Sequence, residues 1–229
     1  MYIALAVFIV GMGWRVYQWA TTPKSPVRLG MFPKPATKGG RFWKMLKDTF
    51  VAPHSAKIEP KMYFFSMLFH VAALAAFVGH LRILDEYPIL PDLLGEHGMD
   101  TFAAWAGSIA GTLMLVGIIF WIDRRTFGPY KNLSVPEDYL LLFLLFGVIV
   151  MGDHLRFVYG SFIHADTYQA WFQSLLAFKP AFPDKLLTGN VGWSLGTHVL
   201  FTDLFLIYFP FSKLVHAIGS LAANYVRSE

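Results

Sequence analysis

The chain has 229 residues, a formal net charge of +4, 55% hydrophobic residues and a mean hydropathy of +0.48. So apolar a composition excludes an ordinary water-soluble domain and marks an integral membrane protein, whose small positive excess reads as membrane topology and not as nucleic-acid binding. Cysteine is absent, which excludes disulfides, iron–sulfur clusters held by this chain alone and thioether-linked haem.

Five runs are long and apolar enough to cross roughly 30 Å of hydrocarbon at about 1.5 Å per residue. They cover about 1–20, 62–84, 101–122, 138–156 and 194–211, and predict an all-α bundle of five transmembrane helices forming a single membrane domain over 1–229. The first, "MYIALAVFIVGMGW", has no basic stretch before it and no small-residue cleavage site after it, so it reads as a retained helix. The next segment, 21–61, is a basic loop carrying Lys24, Arg28, Lys34, Lys38, Arg41, Lys44, Lys47, Lys57 and Lys61, whereas 85–100 is acidic and has neither lysine nor arginine. Positive charge stays inside, so the basic loop is expected in the cytoplasm, with the N-terminus out and the C-terminus in. Arg124, Arg125 and Lys131 after the third run, and Lys213 and Arg227 in the tail, fit that orientation, with Arg124 and Arg125 as positive-inside anchors. Within the loop, "RFWKMLKDTF" is amphipathic and suits either anionic headgroups or a soluble partner. The outer segment 166–178 is similar, with Trp171, Phe172, Leu175 and Leu176 expected along the membrane interface.

Histidines carry the chemistry. In "LFHVAALAAFVGH", His70 and His80 are ten residues apart, roughly 80° around a helix and about 15 Å along it. In "GTHVLFTDLFLIYFPFSKLVH", His198 and His216 are eighteen residues apart, which in an uninterrupted helix places both rings on one face about 27 Å apart. The two helices run in opposite directions, so His80 nests with His198 on the outer side and His70 with His216 on the inner. A lone imidazole in hydrocarbon is costly, whereas facing pairs at two depths are what two six-coordinate haems require in a bundle core. A histidine-lined path for metal ions or protons is the competing reading, and it needs polar residues continuing along a helix face. Pro210 is expected to bend the fifth helix near His216. Gly79 and the alanines beside it, with Gly107, Ala110 and Gly111 on the third helix, leave room for a flat macrocycle or for close helix approach. Arg82 and Arg156, at the outer ends of helices two and four, can pair with haem propionates or reach to the interface. Asp203 is expected to be protonated or hydrogen-bonded to Thr202, Thr197 or a haem edge, and Asp153 and His154 to be solvated near the outer surface.

"LFHVAALAAFVGH", "AGSIAG…DRRTF" and "YFPFSKLVH" resemble the gamma subunit of respiratory nitrate reductase and, still more, the DsrM-type cytochrome b subunits of sulfur metabolism, over about 62–217. The resemblance implies a dihaem cytochrome b in the inner (cytoplasmic) membrane of a prokaryote. Such a subunit passes electrons between menaquinone or ubiquinone and a cytoplasmic iron–sulfur subunit, and acts within a multi-subunit oxidoreductase. That partner is heterodisulfide reductase-like in the DsrM-type branch and nitrate reductase beta-like in the other. Carried onto this chain, the resemblance implies two b-type, bis-histidine haems, the outer held by His80 and His198 and the inner by His70 and His216, with quinone as substrate near Gly79 and His80. The nitrate reductase subunit has a quinol-site lysine between its second and third helices; 83–100 here has none, leaving His97 and the acids. That departure, with "GHLRIL" and "LLAFKPAFP", fits the DsrM-type branch better.

Overall fold

A computed structural model describes residues 1–23, 35, 37–87, 89–159, 165–182, 184 and 189–228. Among these all regular structure is helical: α1 Tyr2–Thr21, α2 Lys38–Phe50, α3 Pro53–Ile58, α4 Pro60–Leu81, α5 Leu90–Thr126, α6 Pro136–Tyr159, α7 Ala165–Leu176, α8 Gly189–Tyr208 and α9 His216–Ser228, with short 3₁₀ turns. Five stretches are long and apolar enough to span a membrane, namely α1, α4, the 97–126 part of α5, α6 and the 189–211 stretch that contains α8. The expected five-helix, all-α membrane architecture is therefore present.

The helix ends follow local chemistry. At the end of α1, Thr22 turns to extended backbone ahead of Pro23, while the hydroxyls of Thr21 and Thr22 donate to the carbonyls of Tyr17 and Gln18 in the last turn. Thr37 caps α2 by accepting the Gly40 N–H at 3.0 Å. Helix α5 starts well before Thr101 because Pro91 opens a first turn and Gly95, at φ 69°, supplies a kink that a side chain would resist.

The last span departs most from sequence expectation. Regular helix stops at Tyr208, the backbone tightens to a 3₁₀ turn over Phe209–Phe211, and Ser212 is extended. The Ser212 hydroxyl accepts the Leu214 N–H and starts the next turn, and α9 begins at His216. Pro210 cannot donate to the helical ladder, so the uninterrupted five-turn register between His198 and His216 is broken and its rise does not give their separation.

The chain forms two compact units. One holds Met1–Phe64 with Asp203–Glu229. In it α1 packs on the broken turn: Pro210 is fully buried against Gly11, the Arg15 Nε donates to the Pro210 carbonyl at 2.9 Å, and Phe8 meets Phe209 edge to face. Helix α9 rests on Trp19 through Gly219 and on α2 through a 3.0 Å hydrogen bond from Asn224 to Thr49.

The other unit, Phe65–Thr202, contains the antiparallel α5–α6 pair. Ile118, Leu142 and Ile149 form its buried centre, with Phe69 of α4 seated on Gly117 and Phe65 stacked on Phe120 at 4.2 Å. The turn between α5 and α6 is locked by Arg125, which pairs at 2.8 Å with Asp138, itself only 3% exposed; Arg124 lies over the Tyr130 ring at 3.7 Å. Both arginines thus hold specific partners besides contributing positive charge. Helix α7 is not spread along a lipid surface: Trp171 and Leu175 are buried with Leu195 of α8, and the outward residues are Leu176 and Phe178. Tertiary burial wins because α8 offers an apolar face within reach.

Candidate functional site

The site grows from the end of α4 in the second unit. His80 lies in the last turn of α4 and His198 midway along α8. The structure brings their rings to a centroid separation of 6.4 Å with planes only 17° apart. The His80 Nδ1 is 2.7 Å from the Ala76 carbonyl, and the His198 Nδ1 is 3.0 Å from the Val148 carbonyl of α6. A carbonyl only accepts, so each Nδ1 carries the proton and each Nε2 keeps its lone pair, the tautomer of a metal-ligating histidine. Gly152 sits so close to the His198 ring that an added Cβ would stand 3.1 Å from Cε1. Thr202 fixes the same turn by donating to the His198 carbonyl.

His70, in this unit, and His216, in the other, show the same local pattern. The His70 Nδ1 donates to the Ser66 carbonyl at 2.7 Å and the His216 Nδ1 to the Lys213 carbonyl at 2.9 Å. All four expected ligands thus share one tautomer, although only His80 and His198 belong to one compact unit along with their partner.

Just beyond His80, Arg82 is held by Glu86 and by Asp100, both at 2.7 Å. Burial works against its charge, but these two carboxylates outweigh it and raise the guanidinium pKa. The Gln169 amide of α7 donates to the Arg82 carbonyl, and the Tyr87 hydroxyl to the Val78 carbonyl, so the connection from α4 to α5 and helix α7 are both tied to the end of α4. Burial likewise raises the Tyr168 phenol, with Arg156 pulling the other way. Gly79 faces open space, and His97 is exposed two residues beyond the Gly95 kink.

Three polar residues differ from expectation. Asp153 is not a solvated surface group: its carboxyl presses on Gly111 of α5, and Oδ2 is buried without a hydrogen-bond partner. One turn on, the Arg156 guanidinium packs on Gly107, so the two glycines accommodate charged side chains. His154 bonds at 2.9 Å to Ser194, which is fully buried. Asp203 is paired at 2.6 Å with the Met1 ammonium, while Thr202 and Thr197 bond to helix carbonyls. Sequence reasoning missed these contacts because they join distant helices; the Gly107/Gly111 spacing was the one visible signal.

The family model described as nitrate reductase gamma subunit matches residues 39–229. The chain belongs to that family. Among nitrate reductase gamma relatives, the nitrate reductase gamma chain of Bacillus subtilis is 29% identical, covering 82% of this chain and 86% of its own. The respiratory nitrate reductase 1 gamma chain of Escherichia coli is 28% identical over 98% of this chain and 89% of its own. Similar too is the Hdr-like menaquinol oxidoreductase cytochrome b-like subunit of Archaeoglobus profundus, 26% identical over 95% of this chain and 74% of its own. The family match includes all four histidines and leaves α1 outside it.

Proposed function

We propose that this family member is a dihaem cytochrome b subunit in the cytoplasmic membrane of a prokaryote, passing electrons between the menaquinone or ubiquinone pool and a cytoplasmic iron–sulfur subunit. The facing His80 and His198 rings carry the reading. Two metal–nitrogen bonds of about 2 Å, plus about 1 Å from each ring centre to its nitrogen, come to about 6 Å, so the 6.4 Å separation is of the length at which the two Nε2 atoms could hold one iron. A b-type haem bound between them supplies reversible one-electron transfer. In this reading His80 and His198 would hold the outer haem and His70 and His216 the inner. Their Nδ1 bonds fix ring orientation and raise ligand basicity. Arg156 is the better candidate for a haem propionate, because Arg82 already holds two carboxylates. Quinone is assigned to the outer end, near Gly79, His80 and His97, with the N-terminus outside.

The absent lysine in 83–100 and the likeness to the Hdr-like menaquinol oxidoreductase cytochrome b-like subunit support the DsrM-type branch, with a heterodisulfide reductase-like partner. A nitrate reductase gamma role with a beta-like partner is the second reading, favoured by identities of 29% and 28% to the bacterial gamma chains. A histidine-lined metal transporter has less support: no group of three or more His, Asp or Glu gathers among the described residues, whereas a bare zinc-like ion takes about four ligands. Pyridine haemochrome assay of the purified chain should give about two haems per polypeptide, extractable with acid acetone. A folded preparation with none or one refutes the proposal.

A further inference from the structure

Helix α2 presents an apolar face that neither α9 nor any other described element of its unit covers. Phe42, Trp43 and Phe50 are 52%, 70% and 61% exposed, and at 100° per residue they fall with Leu46 on one side of the helix. Exposed Lys38 and Lys47 border that side on its two edges, and Thr49, held by Asn224 of α9, lies on the Lys38 edge about 20° from Phe42. Outward Ile218, Ala222, Tyr225 and Val226 give α9 an apolar stripe of its own. Within the same unit Trp19, at the end of the spanning helix α1, packs on Gly219 of α9. Trp14 and Tyr17 stack at 5.5 Å just before it and are also exposed, as in an aromatic belt at a membrane boundary. Through α9, therefore, α2 is held near the level at which α1 leaves the bilayer.

We propose that α2 is a membrane-surface helix, its Phe42–Trp43–Phe50 face sunk at the headgroup–acyl boundary of an anionic leaflet and its bordering lysines on lipid phosphates. Polar overall, but with its apolar residues sharply segregated and flanked by lysine, it has the composition of an interfacial helix. Continuity with the aromatic belt of α1 favours lipid over a protein occupant, and the lysines match the charge of an anionic leaflet. A soluble partner is then left the opposite side, near Lys44, Asp48, His54 and Arg227, which line one cavity. This inference is independent of the haem assignment.

The cysteine-free chain permits a direct test. Single variants Trp43→Cys and Phe50→Cys of the full chain are spin-labelled in vesicles of phosphatidylcholine and phosphatidylglycerol, with Leu74→Cys on α4 as the lipid control and Lys57→Cys as the aqueous one. Labels at 43 and 50 should be relaxed severalfold more by oxygen than by a water-soluble nickel chelate, as at 74 and opposite to 57. Lys38→Glu with Lys47→Glu should reduce that ratio. Brominated-lipid quenching provides a second reading, since Trp43→Phe should remove a quenched fraction of the fluorescence. Nickel-dominated relaxation at 43 and 50, or protection that arises only when the soluble partner is added, overturns the proposal.

Discussion

At the scale of single residues, the arrangement of His80 and His198 depends on what lies behind each ring. Each imidazole is steered by a carbonyl on Nδ1, and His198 takes its carbonyl from a different helix, at Val148. His80→Ala and His198→Ala should therefore abolish the same component of a potentiometric haem titration, and His70→Ala and His216→Ala the other; losses sorted any other way contradict the pairing. Gly152→Ala tests the steering itself. Its methyl would stand 3.1 Å from Cε1 and 3.4 Å from Nδ1 of His198, whereas a methyl at Gly196 would meet nothing within 4 Å. The first variant should keep two haems but shift the outer midpoint potential, and Gly196→Ala should leave both potentials unchanged. Gly111→Ala would drive a methyl to 1.8 Å from Asp153 Oδ1, a conflict on the scale of about 1–3 kcal/mol. Adding Asp153→Ala should restore much of that stability in a thermal melt, and an additive loss would exclude the contact.

Among elements, the α5–α6 hairpin shows how a polar lock serves an apolar bundle. Asp138 receives the Arg125 guanidinium and also accepts the Val135 N–H at the start of α6, so a nearly buried carboxylate is satisfied from two directions. Arg125→Ala leaves that carboxylate without its counter-ion and should cost about 2 kcal/mol, below the range for a fully buried pair because Arg125 is partly exposed. Asp138→Asn in the same chain should recover part of the loss, since an amide is far less costly to bury than an unpaired charge. Thermal unfolding in detergent, followed by helical circular dichroism, compares the three variants.

For the molecule as a whole, the positive-inside distribution expects α5 to begin outside and the α5–α6 turn to lie inside. With Asp92→Cys and Asn132→Cys, a membrane-impermeant maleimide added to right-side-out membrane vesicles should label only position 92; labelling of 132 alone would invert the topology. What was legible in the sequence was whatever has a local signal. Apolar length gave five spans, and the nested spacing of the histidines pointed to His80 and His198 as neighbours, whose rings the structure brings together. What escaped was decided by partners remote in sequence. Trp171 turns to Leu195 and away from lipid, and Asp153 enters the surface of α5; Pro210 did signal a bend in the last span, but the Gly11 and Arg15 contacts that hold the break are remote in sequence.

That break changes how the chain tolerates insertions. Within α8, one added residue between His198 and Tyr208 would rotate everything after it by about 100°. Between Phe209 and Val215 the backbone is already out of helical phase, with an extended Ser212 resetting the chain before α9. The azimuth of His216 is thus set by where α9 docks and not by counting from His198. A residue inserted between Phe209 and Val215 should therefore be better tolerated than one inserted within α8, which makes this joint a natural shock absorber for changes in chain length.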